Sequence, residues 1–224
     1  MKRSASAPDA ARPPKARGRP RSFDRGAALE AAMDVFWRKG FEATSISDLT
    51  EAMGINPPSL YSAFGDKEKL FLEAIESYAQ RRGDSCPYEE EATARGAIQR
   101  LLEYMANDLS ESSSHPRGCL MMMAAATSAN ASASLQKILT QKRLAARDHL
   151  RLRIKRGIEE GDVPPGTDAT ALADFYSTVM TGMAMQAKDG VSRKSLLATV
   201  EQAMQIFPAV PKAAARKRRE PAAA

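Results

Sequence analysis

Apolar side chains recur every three to four positions along much of the chain. Ala28, Leu29, Ala32, Met33, Val35 and Phe36 form the first such stripe, and Lys39-Gly40 ends it with a basic last turn and a glycine stop. Ser45-Ile46-Ser47-Asp48 has the form of a capping box, in which a hydroxyl and a carboxylate satisfy free amides at a helix start. A second helix should run from there to about Met53, with Gly54 allowing the left-handed backbone of a sharp exit. Asn56 reads as the N-cap of a short third helix ending near Phe64-Gly65, and Pro57 stands at its first position, where a missing N–H does no harm. Asp66 caps a fourth helix, from Lys67 to about Arg82, whose stripe is Leu70, Phe71, Ala74, Ile75 and Tyr78.

Residues 83 to 92 form a polar break, after which helical spacing resumes at roughly 92–113, 118–129, 132–160, 168–189 and 192–207. The clearest interruption is Gly161-Asp162-Val163-Pro164-Pro165-Gly166. No alternating run flanked by hairpin signals appears, so the expected fold is all-α.

Composition narrows the class. Of the 224 residues 43% are hydrophobic, an ordinary share for a globular protein. No stretch approaches the ~20 apolar residues of a membrane span, and the first 21 residues lack the apolar core of a secretory signal, so a cytoplasmic protein without membrane contact is expected. Cys86 and Cys119 follow no zinc or disulfide spacing and read as reduced thiols; neither a metal nor a cofactor is indicated. No phosphate-binding glycine loop, HExxH or GxSxG is present, and His115 and His149 are the only histidines, which argues against an enzyme. The net charge of +6 is unevenly placed: residues 1–21 carry seven basic side chains against Asp9, and residues 211–224 carry five against Glu220, leaving the part between them at −4. Two basic tails rich in Ala and Pro, too poor in large apolar residues to fold, can grip a polyanion.

A helix, a glycine turn and a second short helix form the unit that inserts its second helix into the major groove of DNA. Here the full string from Thr44 to Phe71, TSISDLTEAMGINPPSLYSAFGDKEKLF, resembles the N-terminal domain of the TetR/AcrR family, through Thr44, Gly54, Leu60-Tyr61, Phe64, Lys67 and Leu70. Met53 departs from the pattern, standing where alanine is usual before the turn glycine. The resemblance is specific over residues 22 to about 80 and general beyond. It implies four segments: a basic arm, 1–21; the DNA-binding domain with its linking helix, 22–82; a helical effector-binding and dimerisation domain, 83–210; and a basic tail, 211–224.

Carried over by position, Ser47, Pro57, Pro58, Ser59, Ser62 and Ala63 look like the base-reading set, and Thr44, Ser45, Tyr61 and Lys67 like phosphate contacts. Hydroxyls, helix N-termini and a lysine suit that task. Yet residues 56–64 hold no Lys or Arg, and residues 22–82 hold seven basic against ten acidic side chains. The strongest base reader, bidentate arginine on guanine, is thus missing. Arg19 and Arg21, just ahead of the first helix, are expected to supply minor-groove and phosphate contacts in its place.

For the C-terminal region the resemblance implies a small-molecule effector and a homodimer on a palindromic double-stranded operator. Phe175 to Ala184 offers apolar surface with small residues, suited to a helical interface with residues 192–207, and Tyr176, Val179, Met180 and Met183 are its candidate members. Cys119, Met122, Met123 and Phe175 are candidate pocket liners, methionine being an adaptable apolar wall. The expected function is a sequence-specific transcriptional regulator, a repressor released by its effector. Cys119, the methionine run and His115 keep open a copper or thiol-redox sensor of the same fold. A nonspecific architectural DNA binder acting through the tails is the remaining reading.

Overall fold

The computed structural model describes residues 23–86, 88–110, 115–126 and 128–209. Among them the chain forms nine α-helices and no strand: α1 (Arg25–Lys39), α2 (Ile46–Met53), α3 (Pro57–Phe64), α4 (Lys67–Ser85), α5 (Ala94–Ser110), α6 (Leu120–Ala126), α7 (Ala133–Glu160), α8 (Ala169–Lys188) and α9 (Arg193–Gln205). The order follows the sequence periodicity closely. One expectation fails: residues 83–92 are not simply a break, because α4 continues through Gly83 to Ser85 and Tyr88–Glu90 form a 3-10 turn.

Side-chain caps set the helix starts of the N-terminal head. The Ser45 hydroxyl accepts from the Asp48 amide at 3.0 Å while the Asp48 carboxylate accepts from the Ser45 amide at 2.9 Å. Asn56 accepts from Ser59 N at 2.9 Å, and Asp66 from Lys69 N at 2.8 Å. Gly54 turns the chain between α2 and α3 at φ 65°, the left-handed region in which only glycine is free of strain. The three helices and α4 close over Phe36, Leu49, Leu60, Leu70 and Phe71, all fully buried. The Phe71 ring lies 4.9 Å from that of Phe36 and 5.0 Å from that of Phe41, so α4 belongs to the core of the head.

The second half packs α5, α7, α8 and α9 together. Tyr176 on α8 is fully buried and its hydroxyl donates to the Ala203 carbonyl of α9 at 3.1 Å. The C-terminal end of α7 meets the start of α5 at Gly157, where a Cβ would stand 2.6 Å from that of Ala94 and 2.8 Å from a Val163 methyl. Two carboxylates of the head bind the loop before α7: Glu42 accepts from the Asn130 backbone at 2.6 Å and side chain at 3.0 Å, and Glu68 accepts from the Ser132 backbone at 2.8 Å and hydroxyl at 2.6 Å.

Gly157→Ala should therefore destabilise the protein, since the overpacking of about 1–3 kcal/mol outweighs the alanine's helix preference. Thermal unfolding should show a midpoint several degrees lower. Lys39 at 2.6 Å, then the Ser45 amide and hydroxyl, hold the Asp48 carboxyl well below the usual carboxylate range. A depressed carboxyl contributes stability above its unfolded pKa and loses it as pH falls. Asp48→Asn should lower the melting temperature at pH 7, and the gap to wild type should narrow as pH drops below about 4.

Candidate nucleic-acid interface and ligand cavity

The outer face of α3 presents Pro57, Pro58 and Ser62 to solvent, with Tyr61 50% exposed and Ser59 and Ala63 half-buried beside them. Ser45 and Ser47 are exposed at the start of α2. These residues share one surface built by two helix N-termini, a geometry that offers amides and hydroxyls to phosphate and base edges. Thr44 does not join them. It is 1% exposed and its hydroxyl donates to the Gly40 carbonyl at 2.6 Å, closing the turn between α1 and α2, so its side chain cannot reach a phosphate as expected. Lys67 is half-buried, its ammonium 4.5 Å from the centre of the Phe41 ring and donating to the Glu42 carbonyl at 3.5 Å. Burial lowers its pKa, with Glu42 and Asp48 acting the other way. Lys69 beside it is 71% exposed and pairs with Asp66 at 3.5 Å. Arg19 and Arg21 lie outside the described residues.

Most other cations of the head are already matched. Arg25 pairs with Glu73, Lys39 with Asp48 at 2.6 Å, Arg38 with Asp34 at 3.1 Å and Arg81 with Glu30 at 2.6 Å. Arg25 also lies 4.4 Å over the Phe64 ring and donates to the Ala63 carbonyl at 3.3 Å, bracing the end of α3. The head thus offers little free positive charge, in keeping with its seven basic against ten acidic side chains.

Behind the head is a cavity of about 560 Å³, walled by α4, α5, α6, α7 and the 3-10 turn, with Met180 of α8. Its lining is mostly apolar, with Leu101, Met105, Met121, Met122 and Leu150 around a polar floor of Tyr78, Arg82 and Tyr104, and with Tyr88, Glu89, Glu90 and His149 as further polar groups of the wall. The Tyr78 hydroxyl accepts from Arg82 at 2.9 Å and donates to the Cys119 sulfur at 3.3 Å. Arg82 also pairs with Asp108 of α5, and its guanidinium sits 5.2 Å from the Tyr104 ring. Burial pushes the Tyr78 phenol well above its ordinary value, so it remains a protonated donor. Burial likewise raises the Cys86 thiol, which also lines the cavity.

Of the four expected liners, Cys119 and Met122 line the cavity, while Met123 and Phe175 do not; Phe175 packs edge-on against Tyr176 instead, 5.1 Å away. On a helix, successive residues diverge by about 100°, so a run of three methionines cannot share one wall. His115, a candidate soft metal ligand with Cys119, is engaged elsewhere: its ring stacks 4.8 Å from Trp37 and its Nε2 lies 3.4 Å from Asp108. Tyr78, Arg82 and Tyr104, which line the cavity, and Asp108, which pairs with Arg82, are groups that the sequence does not announce. Their polar atoms look like helix-surface groups there, and only the tertiary arrangement, with Arg82 of α4 paired to Asp108 of α5, turns them inward.

The same floor touches the head. Tyr78 stands edge-on to Trp37 of α1 at 4.9 Å, so a side chain in the cavity wall is in van der Waals contact with the DNA-reading unit. For the expected dimer face, Tyr176 and Met183 are buried within the protomer's own core, which corrects those two assignments, while Met180 is half-buried and lines the cavity. Val179 is half-buried, and Thr178, Gly182 and Met185 are exposed on α8 near it.

The geometry agrees with the comparisons to known proteins. Residues 28–74 match the profile of bacterial regulatory proteins of the tetR family, and residues 97–205 that of a tetracyclin repressor-like C-terminal domain. The chain is 32% identical over 197 residues to the HTH-type transcriptional repressor ComR of Escherichia coli K12, covering 87% of this chain and 93% of that one. It is 31% identical over 186 residues to the repressor BdcR of the same strain, covering 83% and 90%. Among solved structures, a cysteine mutant of the TetR family transcriptional regulator CifR, complexed with 26-bp double-strand operator DNA, superposes with a TM-score of 0.80 at 44% identity, over 85% of this chain and 100% of that one. Helix-turn-helix, linking helix and cavity-bearing helical domain thus occur together in the expected order, and the chain belongs to the TetR family of helix-turn-helix transcriptional regulators.

Proposed function

We propose that the protein is a homodimeric repressor that a small, largely apolar effector releases from a palindromic operator. The observation that carries this reading is the shared Tyr78: one face of the side chain meets the 560 Å³ cavity and the other meets Trp37 of the head. A ligand that displaces Tyr78 or Arg82 acts directly on the seat of α1, and differential binding to the two arrangements is what moves operator affinity. The lining favours a ligand with aromatic or aliphatic bulk and one polar group able to bond Tyr78 or Arg82. Val179, Gly182 and Met185 on α8 are the apolar residues available for a second copy, whose two-fold axis would set two α3 helices about one helical turn of DNA apart. The domain boundaries implied by the sequence, 22–82 and 83–210, suit this division of labour, with α4 as the link. Cys119, which accepts from Tyr78 and lines the cavity, admits a thiol-reactive effector within the same scheme.

Selection of bound fragments from a random DNA pool should return a palindrome, and light scattering should give a dimer; random DNA bound as tightly as the selected sequence would leave only a nonspecific binder. Trp37 is the one tryptophan of the chain, so its emission should change as an effector fills the cavity, in step with dissociation of the operator complex. Cys119→Ser should abolish that response only if the effector reacts with the thiol. Because the head carries more acidic than basic side chains, deleting residues 1–21 should weaken operator binding and flatten the slope of log K against log salt by about 0.9 for each phosphate that the arm neutralises. An unchanged slope would assign the affinity to the head alone.

A further inference from the structure

Under the loop that joins α6 to α7 lies a second cavity, of about 110 Å³, which shares no lining residue with the larger one. Ala124 and Leu139 give it an apolar side, and Ser128, Gln136, Thr140 and Arg143 a polar one. Among the described residues, two of these polar groups have no hydrogen-bond partner: the hydroxyl of Ser128, which is 2% exposed, and the buried Nη1 of Arg143. The other terminal nitrogen of Arg143 donates to the Thr140 hydroxyl at 3.0 Å, a neutral partner. Its neighbours on α7 are matched with carboxylates: Lys142 with Glu76, Arg147 with Asp174 at 3.2 Å and Arg151 with Asp148 at 2.6 Å. Gln136 spends its amide on the Ala129 and Ala131 carbonyls, at 2.8 and 3.0 Å, and so holds the loop as a fixed roof.

A buried guanidinium nitrogen and a buried hydroxyl, both idle and both lining one small space, form a donor set without an acceptor. Such groups are rarely left unpaired, and a charged one least of all. The volume exceeds the ~30 Å³ share of one water by enough to hold a four- or five-atom anion. We propose that this cavity binds a small oxyanion, phosphate or carboxylate, with Arg143 as the charged donor and Ser128 as the neutral one. Its roof is the loop that Glu42 and Glu68 clamp to the DNA-reading head through Asn130 and Ser132, so an occupant would lie one layer from that clamp. The binding claim is independent of the operator reading and is tested without DNA.

The test is thermal unfolding and calorimetric titration of the full chain in sodium phosphate, sodium acetate and sodium chloride at equal ionic strength. Phosphate or acetate should raise the wild-type midpoint over chloride, by roughly 5 °C at a hundredfold excess over Kd. A response to phosphate alone marks a tetrahedral anion, and one to acetate alone a carboxylate. Arg143→Met should abolish the response and Ser128→Ala weaken the affinity about tenfold, the loss of one hydrogen bond to a charged ligand. In chloride, Arg143→Met should melt no lower than wild type, because it removes an uncompensated charge from a partly buried position. Equal shifts in wild type and Arg143→Met, or no shift beyond chloride, would mean that water alone fills the cavity and would overturn the proposal. So would a lower midpoint for Arg143→Met in chloride, which would make Arg143 a structural residue.

Discussion

Helix α4 is buried on two sides, and the rest of the structure depends on that constraint. Its first half, through Leu70, Phe71, Ala74 and Ile75, completes the core of the DNA-reading head. Its second half carries Tyr78 and Arg82 into the wall of the 560 Å³ cavity, where Arg82 is tied to Asp108 on α5. The two halves are joined in one hydrogen-bonded helix, and at the cavity end Trp37 of α1 stands between Tyr78 and His115, which places the proposed coupling at that contact.

The division of charge follows from the same economy of surface. The head must pack against α4 on one side and present α3 on the other, and its cations are largely consumed in ion pairs that fix these helices, such as Arg25 with Glu73 and Arg81 with Glu30. Exposed pairs of this kind contribute little stability, about 0–1 kcal/mol each, but they neutralise the field that would otherwise attract DNA. On the proposed reading, long-range attraction falls to the basic residues before α1, while the hydroxyls, prolines and helix ends of α2 and α3 supply register and shape.

Local chemistry is legible in the sequence, and inward-facing polarity is not. Ser45, Asn56 and Asp66 cap the helices that their positions imply, because a cap joins residues two or three apart. The end of α4 lies beyond the expected Arg82, since Gly83 and the polar residues after it give no local reason to continue; the Arg82–Asp108 pair and the Ser85 hydroxyl on the Arg81 carbonyl hold the last turn. Thr44 suggests a phosphate ligand because it precedes a helix, yet its hydroxyl turns back to Gly40. Tyr176 and Met183 suggest an interface because they belong to an apolar stripe, but a stripe does not reveal which neighbour covers it, and α9 covers Tyr176. Arg82 and Asp108 lie 26 residues apart and meet only in the tertiary structure.

If α4, held by the Arg82–Asp108 pair, sets the position of the DNA-reading head, breaking that tie should be felt at the operator. Replacing both partners together, as Arg82→Met with Asp108→Leu, removes the tie without leaving a buried charge and should keep the fold, since such swaps are often neutral in stability. Operator affinity of the double variant, measured by fluorescence anisotropy at fixed salt beside a circular-dichroism melt, is the direct measurement. Native helicity and melting should accompany an affinity weakened about 5- to 150-fold, the range of ordinary coupling between sites. Unchanged operator affinity in a fully folded double variant would contradict this role for α4.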